Sequence, residues 1–307
     1  MIDKNSPFFK QAELVVQVLP WIAKHDCFAL KGGTAINLFV RNMPRLSVDI
    51  DLTFLPIEQR DESLANIENA LRQIANNIKR HIAGSAVKEI PMRDPKMVTK
   101  LNVARDGIQI KIEPNLIIRG TVFPCENHDL SPKAQEIFEK LVTMKVVALP
   151  DLYGGKICAV LDRQHPRDLY DIKFLLDSEG ITEQIWKGFL VHLISHERPI
   201  HESLQPILKD IRGVYMTDFQ DMVDDYVPYE QLIQVRDDLI GLIKQKLTKD
   251  DKEFLISFKQ GQPKWSLLGI DGVERLPAVR WKMFNIQNMD KMKRELFVQK
   301  LRLALGV

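Results

Sequence analysis

Two aspartates, Asp49 and Asp51, alternate with Val48, Ile50 and Leu52 in the string LSVDIDLTFL. Apolar and polar residues at a period of two describe a strand, in which residues two apart point to the same face. Aspartate is disfavoured inside strands, and two carboxylates among apolar neighbours are costly unless a cation compensates them. Paired hard oxygen ligands suit a divalent cation such as Mg²⁺ or Mn²⁺. Upstream lies LKGGTAINLF. Gly32 and Gly33 have no side chains and let the backbone approach a bulky anion. Thr34 reads as the N-cap of a helix from Ala35 to about Val40, whose free N–H groups and positive dipole end favour phosphate. Arg45 and Ser47, just ahead of the aspartates, are further phosphate contacts, with an ion pair to an acidic neighbour as the alternative for Arg45. A phosphate-receiving turn joined by one short helix to a two-carboxylate strand makes a site for a nucleoside triphosphate (NTP) and its metal ions. Either half alone is common, and aspartates that only cap or solvate a strand edge are the plain alternative.

The elements that must position these groups follow from periodicity. Cys27 to Lys31 predicts a first strand leading into the glycine turn. Before it, Ser6 and Pro7 open a helix from about Phe8 to Lys24, with Ala12, Leu14, Val15, Val18, Leu19 and Ile22 as its apolar positions and Pro20 expected to end or bend it. Glu58 to about Arg80 carries Leu64, Ile67, Leu71, Ile74 and Ile78 at helical spacing. Ala86 to Pro91 and Met97 to Ala104 read as strands around an RDP turn, and Asp106-Gly107 joins Thr99–Ala104 to Ile108–Glu113 as a hairpin. Glu113 ends that strand, with Lys111 on the same face to compensate it and Asn115 as a turn residue. Ser131 to about Val146 reads as mostly helix and connector. Asp151 is the expected N-cap of a helix from Leu152 that carries Lys156 and Arg163 on one face, two turns apart. Gly154-Gly155 weakens that helix and lets another backbone or a ligand come close. A second helix runs from Asp168 to Leu176 with Asp171 inside it, and acidic residues near its start suit the helix dipole in any case. Further helices are expected at 186–195, 204–211, 229–247 and 251–260.

The strings KGGTAINLF and PRLSVDIDL resemble the glycine–Ser/Thr turn and hDhD strand of the nucleotidyltransferase superfamily, and within it the AbiEii/AbiGii-type toxin nucleotidyltransferases of bacterial toxin–antitoxin systems. Thr34 stands where many members have Ser, and its distance in sequence from Asp49 is at the long end. A second point of likeness is LYGGKICAVLDR followed by PRDLYDI, which match the family's lysine-bearing helix and R-D-x-x-D helix. The resemblance implies a polymerase-beta-like α/β (α+β) core with a mixed sheet flanked by helices, at residues 1–148, and a mainly helical C-terminal domain, at residues 149–307. It implies Asp49, Asp51 and a later carboxylate, for which Glu113 is the candidate, as metal ligands. Lys156 is implied as a phosphate-binding cation, and Asp171 or Asp168 as a polar residue near the transferred group, the choice between them open. Gly32, Gly33, Thr34, Arg45 and Ser47 would contact the nucleotide. A cognate antitoxin, and a tRNA 3′ end or other RNA as acceptor, are the implied partners.

Composition bounds the rest. The chain has 307 residues, 45% of them hydrophobic, and a formal net charge of +2, so nucleic-acid contact must come from a local patch. Cys27, Cys125 and Cys158 are scattered without a CxxC pair, against a disulfide framework or zinc site, and Cys27 and Cys158 read as small core residues. The start MIDKNSPFFK lacks a secretory layout and no apolar run is long enough for a membrane span, giving a cytoplasmic expectation. Asp218, Asp221, Asp224 and Asp225 read as a solvated face, and His192, His196 and His201 as surface or cap residues. Ala278 to Leu305 reads as a basic helix with interleaved aromatics, in which Arg280, Lys282, Lys293 and Arg294 are candidate RNA contacts. Its alternative is an amphipathic helix packing Leu296, Phe297, Leu301 and Leu305. The expected chemistry is transfer of a nucleoside monophosphate to an acceptor hydroxyl, with release of pyrophosphate. Transfer to a protein side chain, a two-metal nuclease or phosphohydrolase, and a non-catalytic binding module are the other readings.

Overall fold

The computed structural model describes residues 3–94 and 96–307. Pro95 of the expected RDP turn lies outside them. The chain divides into two compact units: Met1–Ala148 with Met216–Tyr226, and Leu149–Tyr215 with Val227–Val307. Nothing in the sequence signalled the return of the short segment 216–226 to the first unit.

The first unit is built on one seven-stranded mixed sheet. Helix α1 (Pro7–Ile22) opens it, capped by the Ser6 hydroxyl accepting from the Phe9 amide. All six expected apolar positions of α1 are buried. Pro20 does not break the helix in its middle; it sits in the last turn, and the helix ends two residues later. Strand β1 (Phe28–Lys31) leads into α2 (Gly32–Ala35), a single turn that widens into a π-helical turn over Ile36–Val40. Strand β2 (Asp49–Phe54) and the long helix α3 (Arg60–His81) follow, then β3 (Ala86–Pro91), β4 (Val98–Arg105) and β5 (Ile108–Asn115). The β4–β5 hairpin turns at Asp106 and Gly107, whose φ angles of 50° and 79° match the left-handed geometry of tight hairpins. Beyond it come β6 (Glu126–Asp129), α4 (Pro132–Phe138) and β7 (Thr143–Val146). Thr143–Val146 is thus a strand, not the connector expected, and it pairs in parallel with β1 and antiparallel with β6.

The strand order is β3-β4-β5-β2-β1-β7-β6, which puts β2 near the middle between β1 (antiparallel) and β5 (parallel). Leu30, Ile50, Leu52, Phe54 and Ile112 are at 0% exposure, so the core lies around the strands that carry the acidic residues.

The second unit is helical. It contains α5 (Leu149–Arg163), α6 (Pro166–Asp177), α7 (Glu183–Ser195) and α8 (Ile200–Leu204). Helix α9 (Arg212–Asp218) carries the chain into the returning segment. The unit resumes with α10 (Tyr229–Lys246), α11 (Lys249–Gln260), α12 (Trp265–Leu268), α13 (Pro277–Gln287) and α14 (Lys291–Leu305). The expected helix over 204–211 is displaced to Ile200–Leu204, because Pro206 disfavours helical backbone at Gln205. The expected single basic helix over 278–305 is two helices, the second capped by Asp290 accepting from the Lys293 amide. The glycines of α5 serve a second backbone. A Cβ on Gly154 would lie 2.5 Å from the Gly188 carbonyl carbon, and one on Gly188 would lie 2.1 Å from the Pro150 oxygen, so α5 and α7 touch main chain to main chain. Among the described residues no helix is long and apolar enough to cross a membrane.

Candidate active site

In the first unit the expected phosphate turn and the aspartate strand are packed against each other. Asp49 and Asp51 are half-buried and alternate with the buried Ile50 and Leu52. In the sheet register Asp51 stands opposite Lys31 of β1 on one side and Glu113 of β5 on the other, while Asp49 stands opposite Lys111. Directly paired residues share a face, so both aspartates and Glu113 belong to one side of the sheet. Gly32 adopts φ +71°, and a Cβ there would fall 2.4 Å from Asp51 Oδ2 and 3.1 Å from its Cβ. The turn therefore rests on the aspartate, and only glycine fits. Gly33 is equally confined: its Cβ would lie 2.7 Å from Arg45 Nη2 and 3.1 Å from Ser47 Oγ.

Thr34 is not an N-cap. The helix begins three residues earlier than expected, with Lys31 in the cap position, because Gly32 takes the left-handed conformation that starts the turn. The Thr34 side chain instead ties the turn to the strand: its hydroxyl is bonded to the Ser47 hydroxyl at 2.9 Å and donates to the Asp49 carbonyl. Asn37 Nδ2 donates to the Gly33 carbonyl at 2.9 Å, a contact that sequence reasoning missed. Arg45 is 3% exposed; its Nη1 donates to the Leu46 carbonyl at 2.7 Å, and its main chain forms a bridge with Val223 of the returning segment. Gly32, Gly33, Thr34, Arg45, Ser47, Asp49 and Asp51 thus form one connected group.

Glu113 is next to Asp51 by register, but its carboxylate is ion-paired with Lys100 on β4 and not with Lys111, which is exposed. Asn115 is a turn residue, accepting from the amides of Ile117 and Ile118. The donor chemistry of Asp49 and Asp51 suits a hard divalent cation. Among the described residues no three His, Cys, Asp or Glu side chains are gathered closely enough to enclose a metal ion. Recruitment of Glu113 as a third ligand requires its side chain to leave Lys100. Asp224 of the expected solvated face pairs with Lys133.

In the second unit Lys156, Asp168 and Asp171 are brought together. Lys156 is 6% exposed, and its ammonium lies 3.0 Å from Asp168 Oδ1 and 2.8 Å from Asp171 Oδ2. Both aspartates hold it. Arg163 adds two bonds to Asp168, from Nε and, at 2.8 Å, from Nη2. Burial by itself would raise the Asp168 pKa, but the adjacent Lys156 and Arg163 cations outweigh it and hold the carboxyl far below the usual range. Asp151 lies within the first turn of α5 and is not its cap; its Oδ1 is 3.5 Å from His192 Nε2.

The basic C-terminal residues divide. Lys282 Nζ donates to the carbonyls of His196, Glu197 and Arg198 at the end of α7, and burial pushes its pKa down to about 8. Arg294 Nη1 reaches the Ile286 carbonyl at 3.4 Å, whereas Arg280 and Lys293 are exposed. Trp281 and Phe284, 61% and 56% exposed, stack with ring centroids 5.8 Å apart. Leu301 and Leu305 are buried, while Leu296 is 50% exposed.

A family profile described as "Nucleotidyl transferase AbiEii toxin, Type IV TA system" matches residues 13–284. Among solved structures, the chain is similar to the nucleotidyltransferase toxin MenT4 of Mycobacterium tuberculosis, with TM-score 0.60 and 14% identity, covering 97% of this chain and 93% of that one. At that identity the likeness speaks for the fold alone. No curated protein matches the chain.

Proposed function

This chain belongs to the AbiEii family of nucleotidyltransferase toxins of type IV toxin–antitoxin systems, and on that premise we propose that it transfers a nucleoside monophosphate from an NTP to the 3′-terminal hydroxyl of a tRNA. The family implies an NTP substrate and an antitoxin partner; the acceptor, the metal and the residue roles are the proposal. The observation that carries it is the joint between turn and strand: Gly32 against Asp51, and Thr34 bonded to Ser47 and to the Asp49 carbonyl. A triphosphate bound to the backbone of Gly32 and Gly33 would lie directly beside the two carboxylates.

In this reading the main-chain amides at Gly33 and Thr34, together with the Ser47 hydroxyl, bind the β- and γ-phosphates. Arg45, held rigidly under Gly33, supplies positive charge to the turn. Asp49 and Asp51 would hold divalent metal ions, with Glu113 completing the set once released from Lys100; such ions supply charge neutralisation on the triphosphate and a more acidic acceptor hydroxyl. Glu113 is the base that takes the acceptor proton. The acceptor oxygen bonds to the α-phosphorus, the bond to the bridging oxygen breaks, and pyrophosphate leaves. Asp168 and Asp171 fix the Lys156 ammonium, and its role as a phosphate-binding cation rests on the family likeness alone. Positioning and electrostatics supply most of what such a transfer needs. The stacked, exposed Trp281 and Phe284 beside Arg280 suit a single-stranded RNA end, since bases stack on aromatic faces. Lys282 leaves that surface, because its ammonium is held by the carbonyls of residues 196–198, just after α7.

Titration calorimetry with a non-hydrolysable NTP analogue and Mg²⁺ tests the nucleotide half. Binding should depend on Mg²⁺ in the native chain and lose that dependence in Asp51→Asn. Equal Mg²⁺-dependent binding by both proteins would place the nucleotide elsewhere.

A further inference from the structure

The loop that follows β5 carries an arginine that the transfer reading does not use. Arg119 is 5% exposed, yet its Nε and Nη1 are buried N–H donors without a hydrogen-bond partner. Guanidinium groups stay protonated, and a buried donor left unsatisfied is costly, more so when it is charged. Folded chains seldom keep such groups without an ion or water to receive them.

Its surroundings favour an anion. The loop is pinned: the Asn115 side chain accepts from the amides of Ile117 and Ile118, the Arg119 amide donates to the Ile117 carbonyl, and the Gly120 amide donates to the Phe54 carbonyl at 2.8 Å. The guanidinium is therefore carried by a fixed loop at the end of β2. Six residues beyond Phe54, α3 begins with Gln59 at its N-cap, making no side-chain capping bond. A helix this long, uncapped by a side chain, presents free amides and the positive end of its dipole, with Asp61 and Glu62 in the first turn offsetting part of it. Arg60 in its first turn is 62% exposed at the side chain and only loosely paired with Asp61, at 3.9 Å. Burial, with Arg60 adding to it and Glu58 opposing, pushes the Arg119 pKa down from the ordinary arginine value. Glu58 is engaged by the Asn66 amide at 3.0 Å.

We propose that Arg119, with Arg60 and the uncapped start of α3, forms a phosphate-binding site separate from the nucleotide site. A phosphate offers several strong acceptor oxygens to the two idle N–H groups and opposes both cationic charges. The site lies at the Phe54 end of β2, three residues and roughly 10 Å along the strand from Asp51. It is therefore not the triphosphate turn. The phosphate comes either from a polynucleotide backbone or from a free small anion, and either source meets the same chemistry.

The test uses the full chain without Mg²⁺. Thermal shift and titration calorimetry are run with inorganic phosphate and, separately, with a short single-stranded RNA at the same phosphate concentration. The variants are Arg119→Met, Arg119→Lys and Arg60→Gln. Phosphate should stabilise the native chain, and Arg119→Met should weaken the affinity about tenfold or more, as expected for losing a charge-assisted pair of bonds. Arg119→Lys should fall between, because it keeps the charge and loses the fork. It also serves if the methionine variant does not fold. RNA bound more tightly than phosphate, and dependent on Arg119, identifies a polynucleotide backbone; Arg119-dependent binding of phosphate alone identifies a small anion. No stabilisation by either probe, or equal binding by the native chain and both Arg119 variants, overturns the proposal.

Discussion

Gly32→Ala separates a backbone effect from a site effect. Gly32 has φ +71°, a conformation that costs an L-residue roughly 1–2 kcal/mol. The new Cβ would also lie 2.4 Å from Asp51 Oδ2, 3.1 Å from its Cβ and 3.2 Å from its Cγ. Rotating the carboxylate relieves the first contact and leaves the other two, so the turn and the strand must part. Forced overpacking of this kind adds about 1–3 kcal/mol. The variant should thus be destabilised by about 2–5 kcal/mol in a denaturant titration. Its transfer rate should fall by about 10²-fold, the usual cost of misplacing a reacting group by about 1 Å. Gly84→Ala is the matched control, with φ +75° and nothing within 4 Å of its Cβ. It should lose only the backbone cost and keep its activity. If Gly32→Ala retains the native rate while folding normally, the turn does not position Asp51 and the assignment of the site fails.

Four other outcomes follow from particular contacts. Lys156→Met leaves two carboxylates at 1% and 0% side-chain exposure without their shared cation, and should cost about 3–5 kcal/mol by chemical denaturation. The depressed Asp168 pKa makes its stabilisation complete above the unfolded titration near pH 4, and lost as the pH falls below it. Acid unfolding curves should therefore flatten in that range for Asp168→Asn, and an unchanged curve would contradict the coupling. Gly188→Ala, whose Cβ would meet the Pro150 oxygen at 2.1 Å, should prise α5 from α7 and lower the unfolding midpoint without touching the sheet unit. Trp281→Ala should raise KM for an RNA acceptor several-fold with little change in stability, since the ring is 61% exposed; an unchanged KM removes that surface from the acceptor path.

What could be read in advance was what local pattern dictates. The alternation around Asp49 and Asp51, the Asp106-Gly107 hairpin and the apolar stripes of α1 and α3 are each set by neighbours in sequence, and each has the expected form. The mixed sheet with a mainly helical C-terminal part also came from the resemblance and matches a solved toxin fold. The failures have long-range causes. Strands β6 and β7 are four residues each, and ENHD has no apolar alternation; they exist because β1 offers an edge. Thr34 looked like a cap because its type suits one, but the positive φ of Gly32 starts the turn earlier and frees the hydroxyl to bond Asp49 and Ser47. The Lys100 partner of Glu113 belongs to the neighbouring strand, which residue spacing could not identify. The two aspartates that bury the Lys156 ammonium come from α6, a contact that spacing along α5 could not show. Arg119 carried no motif; its significance is a matter of tertiary burial.

The most direct measurement is incorporation of label from each of four α-³²P NTPs into total tRNA by the purified chain with Mg²⁺, beside an Asp49→Ala control. The expected result is label at the tRNA 3′ end that depends on one or more NTPs and vanishes in the control. Label on polypeptide only, or tRNA labelling that survives Asp49→Ala, would contradict the proposed site and acceptor.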